Sequence, residues 1–370
     1  MHNRYVVYLR NALGERIAQP LLKFRSIHWV RRLNGVGLCD VVFNWSDYNP
    51  DWYAKDRMVE LYRYLGSTIE LVQIYFIRAL EDRTVDTAGV SDRVITWRCL
   101  DLNYLLERRI IDAPAGTAGA VKTGCADDVI YEYVDENLGN SAVVARRYTS
   151  LLNLTLQGNN SAGATVKHAA NYGRLLHVCQ QVADKSAQAG TKVRFNIYPT
   201  TSNTYVFDVR AYPWGVDRSV GASGQVNVMA RTRGLRNIAY SEDATSEVTY
   251  AYVGGSGREG DRVVREMEAD ALGDSPFNRN EAFYPYTNTA DTDILDDHAR
   301  AKLWENKARV NLTAELVDQP GTRYGVDWEI GDVVSVNYRE RVFDVEVYAV
   351  EGEWDARDEI ITARLRYAEQ

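Results

Sequence analysis

The sequence predicts an α+β fold built mainly on antiparallel β-sheet. Runs rich in β-branched and aromatic residues, punctuated by turn residues, fill both ends of the 370-residue chain. Helical spacing of apolar residues is concentrated in the middle. Two β-rich blocks around a helix-containing centre form the α+β pattern.

The first block contains strand patterns at residues 4–9 (RYVVYL), 38–45 (LCDVVFNW), 68–80 (TIELVQIYFIRAL) and 93–100 (RVITWRCL). Asn34-Gly35, Asn49-Pro50-Asp51 and the polar run 81–92 supply turn chemistry between them. One helix is expected at 52–65, with Tyr53, Val59, Leu61, Tyr62 and Leu65 as its apolar members. After a loop at 113–124, Asp127 or Asp128 opens a helix over 129–138. Its apolar face is Val129, Ile130, Tyr133, Val134 and Leu138, and Gly139 follows its end. Residues 148–166 read as a strand and a polar loop, and 168–188 as a second helix. Strands resume at 193–198, 205–211 and 235–241. A hairpin then joins 247–253 to 262–268 across 254–261. A third helix is expected over about 293–316, with 310–316 open to a strand reading. Strands at 332–338, 342–354 and 359–367 close the chain.

The size, 41.9 kDa, predicts two or three domains. Hydrophobic content of 45% and charged content of 25% are ordinary globular values. A net charge of −8 argues against a protein that coats nucleic acid. Arginine supplies 35 of the 43 basic residues and lysine 8, and Tyr is abundant at 24 with 8 Trp. Both biases suit protein interfaces. Cys39, Cys99, Cys125 and Cys179 form no C-x-x-C pair and read as small buried hydrophobes. No stretch is long and apolar enough to span a bilayer, so stable membrane insertion is not expected. The start of the chain, Tyr5 to Leu9 between Arg4 and Arg10, does not read as a signal peptide.

Common catalytic motifs are missing. Residues 254–260 (GGSGREG) lack the Lys of a phosphate loop, and Arg258 stands where a nucleophile elbow needs its last glycine. A hairpin tip accounts for them. Asp291, Asp293, Asp296 and Asp297 with His298 lack calcium-loop spacing and read as a helix N-terminus. His2, His28, His168, His177 and His298 show no metal-binding spacing. Arg231, Arg233 and Arg236 are the densest basic run, but no aromatics interleave them as single-strand binding requires. No catalytic residue, cofactor, metal or specific nucleic-acid recognition is expected.

Several stretches together resemble the tail-hub, or baseplate hub, proteins of long-tailed bacteriophages, the siphophage minor tail protein family. They are residues 4–17, 33–45 (RLNGVGLCDVVFNW from 32), 101–115 (DLNYLLERRIIDAPA), 126–138 with Ala145-Arg146-Arg147, 253–260 (VGGSGREG) and 321–336 (GTRYGVDWEIGDVVSV). The signature positions are Arg108, Arg109, Gly254, Gly255, Tyr324, Gly325, Asp327, Gly331 and Asp332. Physically, Gly325 and Gly331 suit turns, Asp332 suits bonding of turn amides, and Arg108 and Arg109 suit pairing with acids across a boundary.

The resemblance implies two tube-like β-barrel domains with helix-containing insertions. Residues 1–105 would form the first barrel and 106–192 a helix-containing domain. Residues 193–245 with 311–370 would form the second barrel, and 246–310 a hairpin-plus-helix insertion. It further implies a homotrimeric hub at the distal end of a virion tail, made in the host cytoplasm. Such a hub joins a six-fold tail tube to a three-fold tip around a channel for DNA. Its implied partners are the distal tail or tail-tube protein, a tail-tip or fibre protein, and the tape-measure protein. Two alternatives stay open at this point: a tail-associated cell-wall hydrolase, and a receptor- or carbohydrate-binding tail-tip protein. Tyr212-Pro213-Trp214 and Tyr284-Pro285-Tyr286 motivate the second, though they also suit packing corners.

Overall fold

The computed structural model describes residues 4–11, 14–87, 90–112, 119–158, 160–201, 203–229, 235–257, 259–316, 322–355 and 357–367. Arg231, Arg233, Arg258 and much of the 113–124 loop lie outside the described residues. The chain divides into two compact units. Met1–Ala187, Thr191–Ile238 and Thr313–Gln370 form the first, and Gln188–Gly190 with Ala239–Leu312 the second.

The first unit opens with β1 (Tyr5–Arg10), β2 (Ser26–Arg32), β3 (Leu38–Asn44), β4 (Met58–Leu65), β5 (Thr68–Thr87) and β6 (Val90–Asp101). Next come α1 (Tyr104–Glu107), β7 (Ala120–Cys125), α2 (Ala126–Leu138), α3 (Thr149–Leu152), β8 (Leu154–Leu156), β9 (Thr165–Ala170) and α4 (Leu175–Gln188). The strands β10 (Val193–Thr201), β11 (Thr204–Ala211), β12 (Asp217–Arg218) and β13 (Asn227–Met229) follow, and β14 (Leu235–Asp243) runs on past Ile238, where the first unit gives way to the second. The second unit holds β15 (Tyr250–Gly254), β16 (Val264–Glu268), β17 (Glu281–Pro285) and α5 (Thr292–Glu305). β18 (Arg309–Leu316) pairs with β14. β19 (Val333–Tyr338), β20 (Arg341–Trp354) and β21 (Glu359–Tyr367) complete the first unit.

The main sheet runs β1-β4-β5-β6-β3-β2-β20-β19-β12, with β13 on β19 and β21 on β20. Its ladders are antiparallel except for β12 and β13, which run parallel to β19. The long strand β20 is shared. Residues 341–346 pair with β19 and 349–354 with β2, while β21 takes the opposite edge. Strands expected for both barrels share this sheet, but β10 and β11, expected in the second barrel, pair with β8 in a separate sheet and β14 pairs with β18, and no backbone ladder closes the main sheet among the described residues. Side chains do connect its ends. Glu359, at the start of β21, accepts from Arg63 on β4 through Nε and Nη2, both at 2.8 Å. It also accepts from the Tyr5 hydroxyl on β1 at 2.5 Å and from Arg4 at 2.6 Å.

A large core in the same unit gathers α2 and α4 against β8, β10 and β11. Leu105 and Leu106 of α1 and Met58, Ile74 and Phe76 of the main sheet join it. The helical faces form because Val129, Ile130, Tyr133, Val134 and Leu138 recur at three- and four-residue spacing and are all buried. In the second unit, α5 covers one face of the sheet β16-β15-β17, burying Ala251, Val253, Leu295, Ala299 and Leu303.

Several sequence expectations change, among them the 113–124 loop, whose described end is the strand β7, and the start of the first helix, which is Ala126 with Cys125 as its N-cap in place of Asp127 or Asp128. Residues 52–65 are not a helix: 3₁₀ turns precede the strand β4. In β4 consecutive residues Met58–Leu61 are all buried, so both faces are covered and the period-2 alternation is lost. Buried Glu60 sits in it because Arg10 and Arg16 pair with it. The polar run 81–92 is mostly strand: β5 and β6 extend through it as a hairpin arm, held by Arg93–Asp82 and Arg98–Glu81. His168 lies in β9, and the helix starts only at Leu175. The third helix ends at Glu305, and β18 follows as a strand.

Candidate functional site

The signature residues are anchors whose partners are turn amides, a carbonyl and neighbouring side chains. Asp332 precedes β19 and is buried at 1% exposure. Its Oδ1 accepts from the Val216 amide at 2.7 Å, and its Oδ2 from the Glu329 amide at 3.0 Å and Arg218 Nε at 2.7 Å. One carboxylate thus closes its own turn and holds the segment leading into β12. Gly325 and Gly331 have φ of +82° and +90°, which explains glycine at both. Asp327 accepts from the Arg323 amide at 2.8 Å, completing the turn. Tyr324 is buried between Trp29 and Trp328, with ring centroids at 5.8 and 5.1 Å. Its hydroxyl accepts from Arg31 at 2.5 Å and its carbonyl from Arg63 at 3.1 Å. Burial raises the Tyr324 phenol pKa, against the pull of Arg31.

Arg108 pairs with Asp56 at 3.1 Å within the first unit. Among the described residues Arg109 meets no acid: its Nε and Nη2 donate to the Arg146 carbonyl at 3.3 and 3.0 Å, and it stacks 4.0 Å over Tyr148. It therefore joins the DLNYLLERR segment to the Ala145-Arg146-Arg147 segment. Gly254 and Gly255 are close-packing positions. A Cβ there would sit 2.5 Å from the Phe283 ring and 2.7 Å from the Thr289 carbonyl.

Two anchors escaped the sequence reading. Asn103 donates to the Gly35 carbonyl at 2.7 Å and to Asn196 Oδ1 at 2.8 Å, and accepts from the Ile197 amide at 2.8 Å. Asn34 accepts from the Phe195 amide at 2.7 Å. The Asn34-Gly35 turn and the Asp101-Leu102-Asn103 turn therefore converge on β10. The available signal was two Asx-type turns. Asp101 accepts from the Asn103 amide at 3.0 Å. Burial drives its carboxyl up to about 7, against amides of Gly37 and Asn103 that hold it down.

His28, Glu351 and Glu353 place donor atoms within 4.8 Å of one another on β2 and β20. His28 and Glu351 are already partnered. His28 Nε2 meets Glu351 at 2.7 Å, and Arg364 donates to the other Glu351 oxygen at 2.8 Å. Burial opposes ionisation of Glu351, but these two partners hold its carboxyl below the usual range. Glu351, Glu353 and Arg364 stand on the wall of a cavity of about 670 Å³, lined also by Tyr348, Ile360, Thr362 and Leu365. Cys39, Cys99 and Cys179 are buried as expected, and burial raises all three thiols, whereas Cys125, expected to be buried with them, is half-buried.

The family model described as Siphovirus ReqiPepy6 Gp37-like protein matches residues 6–365. No curated protein sequence matches the chain. Solved structures share its fold across almost their full length. The 43 kDa tail protein of prophage MuSo2 from Shewanella oneidensis matches with a TM-score of 0.62 at 10% identity, covering 98% of each chain. The tail protein from Neisseria meningitidis MC58 gives 0.57 at 12% identity, covering 98% of this chain and 97% of that one. Prophage tail protein gp18 from Listeria monocytogenes EGD-e gives 0.53 at 11% identity, with 99% and 95% covered.

Proposed function

Since the chain belongs to the Siphovirus ReqiPepy6 Gp37-like family, we propose that it is a structural component of a phage tail, specifically a homotrimeric hub. The hub joins the six-fold tail tube to the three-fold tip and leaves a channel for DNA. The observation that carries this reading is the shared fold with three phage tail proteins from end to end. The signature residues fit a scaffold role, since they bind turns and carbonyls rather than a pocket. The side-chain tie at Glu359 supports a barrel-like curl of β1-β4-β5-β6-β3-β2-β20-β21. The shared strand β20 supports a second curl built on β19 to β21. In this arrangement three chains present six tube-like domains to the tail tube. The neighbours are a distal tail or tail-tube protein, a tip or fibre protein and the tape-measure protein, at the distal end of the tail. No enzymatic step belongs to this reading.

Light scattering on the purified chain tests it. A solution mass near three times 41.9 kDa is expected. A monomer at all concentrations, together with tail tips in virion micrographs that lack this chain, would overturn it.

A further inference from the structure

The second unit holds nearly all of the net charge. Between Ala239 and Leu312 stand 15 acidic and 8 basic residues, a balance of −7 out of the chain's −8. α5 covers the sheet face carrying Ala251, Val253, Met267 and Tyr284. Strand alternation then places Tyr250, Tyr252, Val264, Glu266, Glu268, Glu281 and Phe283 on the opposite face. Tyr252 lies directly between Glu266 and Phe283 in the ladders, and Tyr250 between Glu268 and Glu281. Val264 and Phe283 are 45% and 51% exposed, and Glu266, Glu268 and Glu281 are exposed as well.

This face already binds guanidinium groups from its own chain. Arg279 lies 3.8 Å over the Tyr250 ring and pairs with Glu281 at 2.5 Å. Arg262 lies 6.0 Å over Phe283. Aromatic rings flanked by carboxylates form a cation-selecting surface, and the planar guanidinium stacks on them better than an ammonium.

We infer that this open face of the second unit docks an arginine-bearing segment of a partner protein. The partner's guanidinium groups stack on Tyr252 and Phe283 and pair with Glu266 and Glu268. The exposed rim makes the contact dependent on salt. The inference concerns the second unit alone and is independent of the trimeric reading.

The probe is a fluorescent peptide of about ten arginines, titrated into the full chain beside a lysine peptide of equal length. Expected are saturable binding, preference for arginine, and roughly threefold to tenfold weakening by Phe283→Ser and by Glu266→Gln with Glu268→Gln. Asp297→Asn with Glu305→Gln, on exposed positions of α5, is the charge-matched control and leaves binding unchanged. Three outcomes overturn the proposal: no binding, equal loss in the control, or a fall in the chain's own solution mass in the face variants. The last would assign the face to a second copy. Thermal midpoints confirm that these exposed substitutions leave the fold intact.

Discussion

His168 is a buried residue whose pH behaviour follows from its surroundings. It is 7% exposed and edge-on to Tyr133 at 6.0 Å, and among the described residues neither ring nitrogen has a hydrogen-bond partner. Burial first, then the charges of Lys185 and His177, pushes its pKa down to about 4. In the unfolded chain the ring titrates near an ordinary value of about 6.5. Between these values the unfolded state holds more protons, so stability falls as pH drops through this window. Urea unfolding should show a loss of about 1–2 kcal/mol from this group between pH 7.5 and 5.0. His168→Leu should flatten that part of the profile. Parallel profiles for the two proteins would mean that other groups carry the dependence.

At the scale of elements, a few polar side chains hold segments that lack long ladders. β12 has two residues and pairs with β19 only at Asp217 and Arg218, so backbone bonding alone leaves it weakly held. Asp332 supplies the missing bonds through Val216, Arg218 and its own turn. Asp332→Ala should cost about 3 kcal/mol, because it strands two amides and a half-buried guanidinium. Asp332→Asn should cost less, since one carbonyl oxygen still accepts. Hydrogen exchange should quicken around Val216 in both variants. A cost below about 1 kcal/mol for the alanine would show that Arg218 and the amides find other partners.

The strands that alternate cleanly, such as β3 with its pattern of buried and half-buried positions, were legible in the sequence for a physical reason. One face meets the core and the other meets polar surroundings. β4 was not legible because consecutive residues on both of its faces are buried and its charged residues are buried in pairs. Turn chemistry at Gly325, Gly331 and Asp332 was readable because positive φ and amide bonding restrict residue type. The target of Arg109 was not, since a backbone carbonyl leaves no mark in the sequence.

At the scale of the whole molecule, the remaining question is what keeps the ends of the main sheet together. Glu359 and Arg63 are 296 residues apart, and their side chains are 0% and 4% exposed. Burial disfavours the charged carboxyl, but Arg63, Tyr5 and Arg4 outweigh it and hold its pKa below the usual range. Such a pair is costly to break from one side and cheap to replace as a whole. Glu359→Leu alone leaves Arg63 buried beside a hydrocarbon and should cost about 3–5 kcal/mol. Arg63→Met with Glu359→Leu should recover much of that loss, giving a coupling of more than about 1 kcal/mol in the double-mutant cycle. The position of the tie adds a sharper expectation. If it joins the sheet's ends, Glu359→Leu should speed hydrogen exchange in β1 and β4 as well as in β21, although no ladder connects them. Exchange that quickens only near residue 359 would mean that each end is stable by itself and that the curl of the sheet is set by its ladders alone.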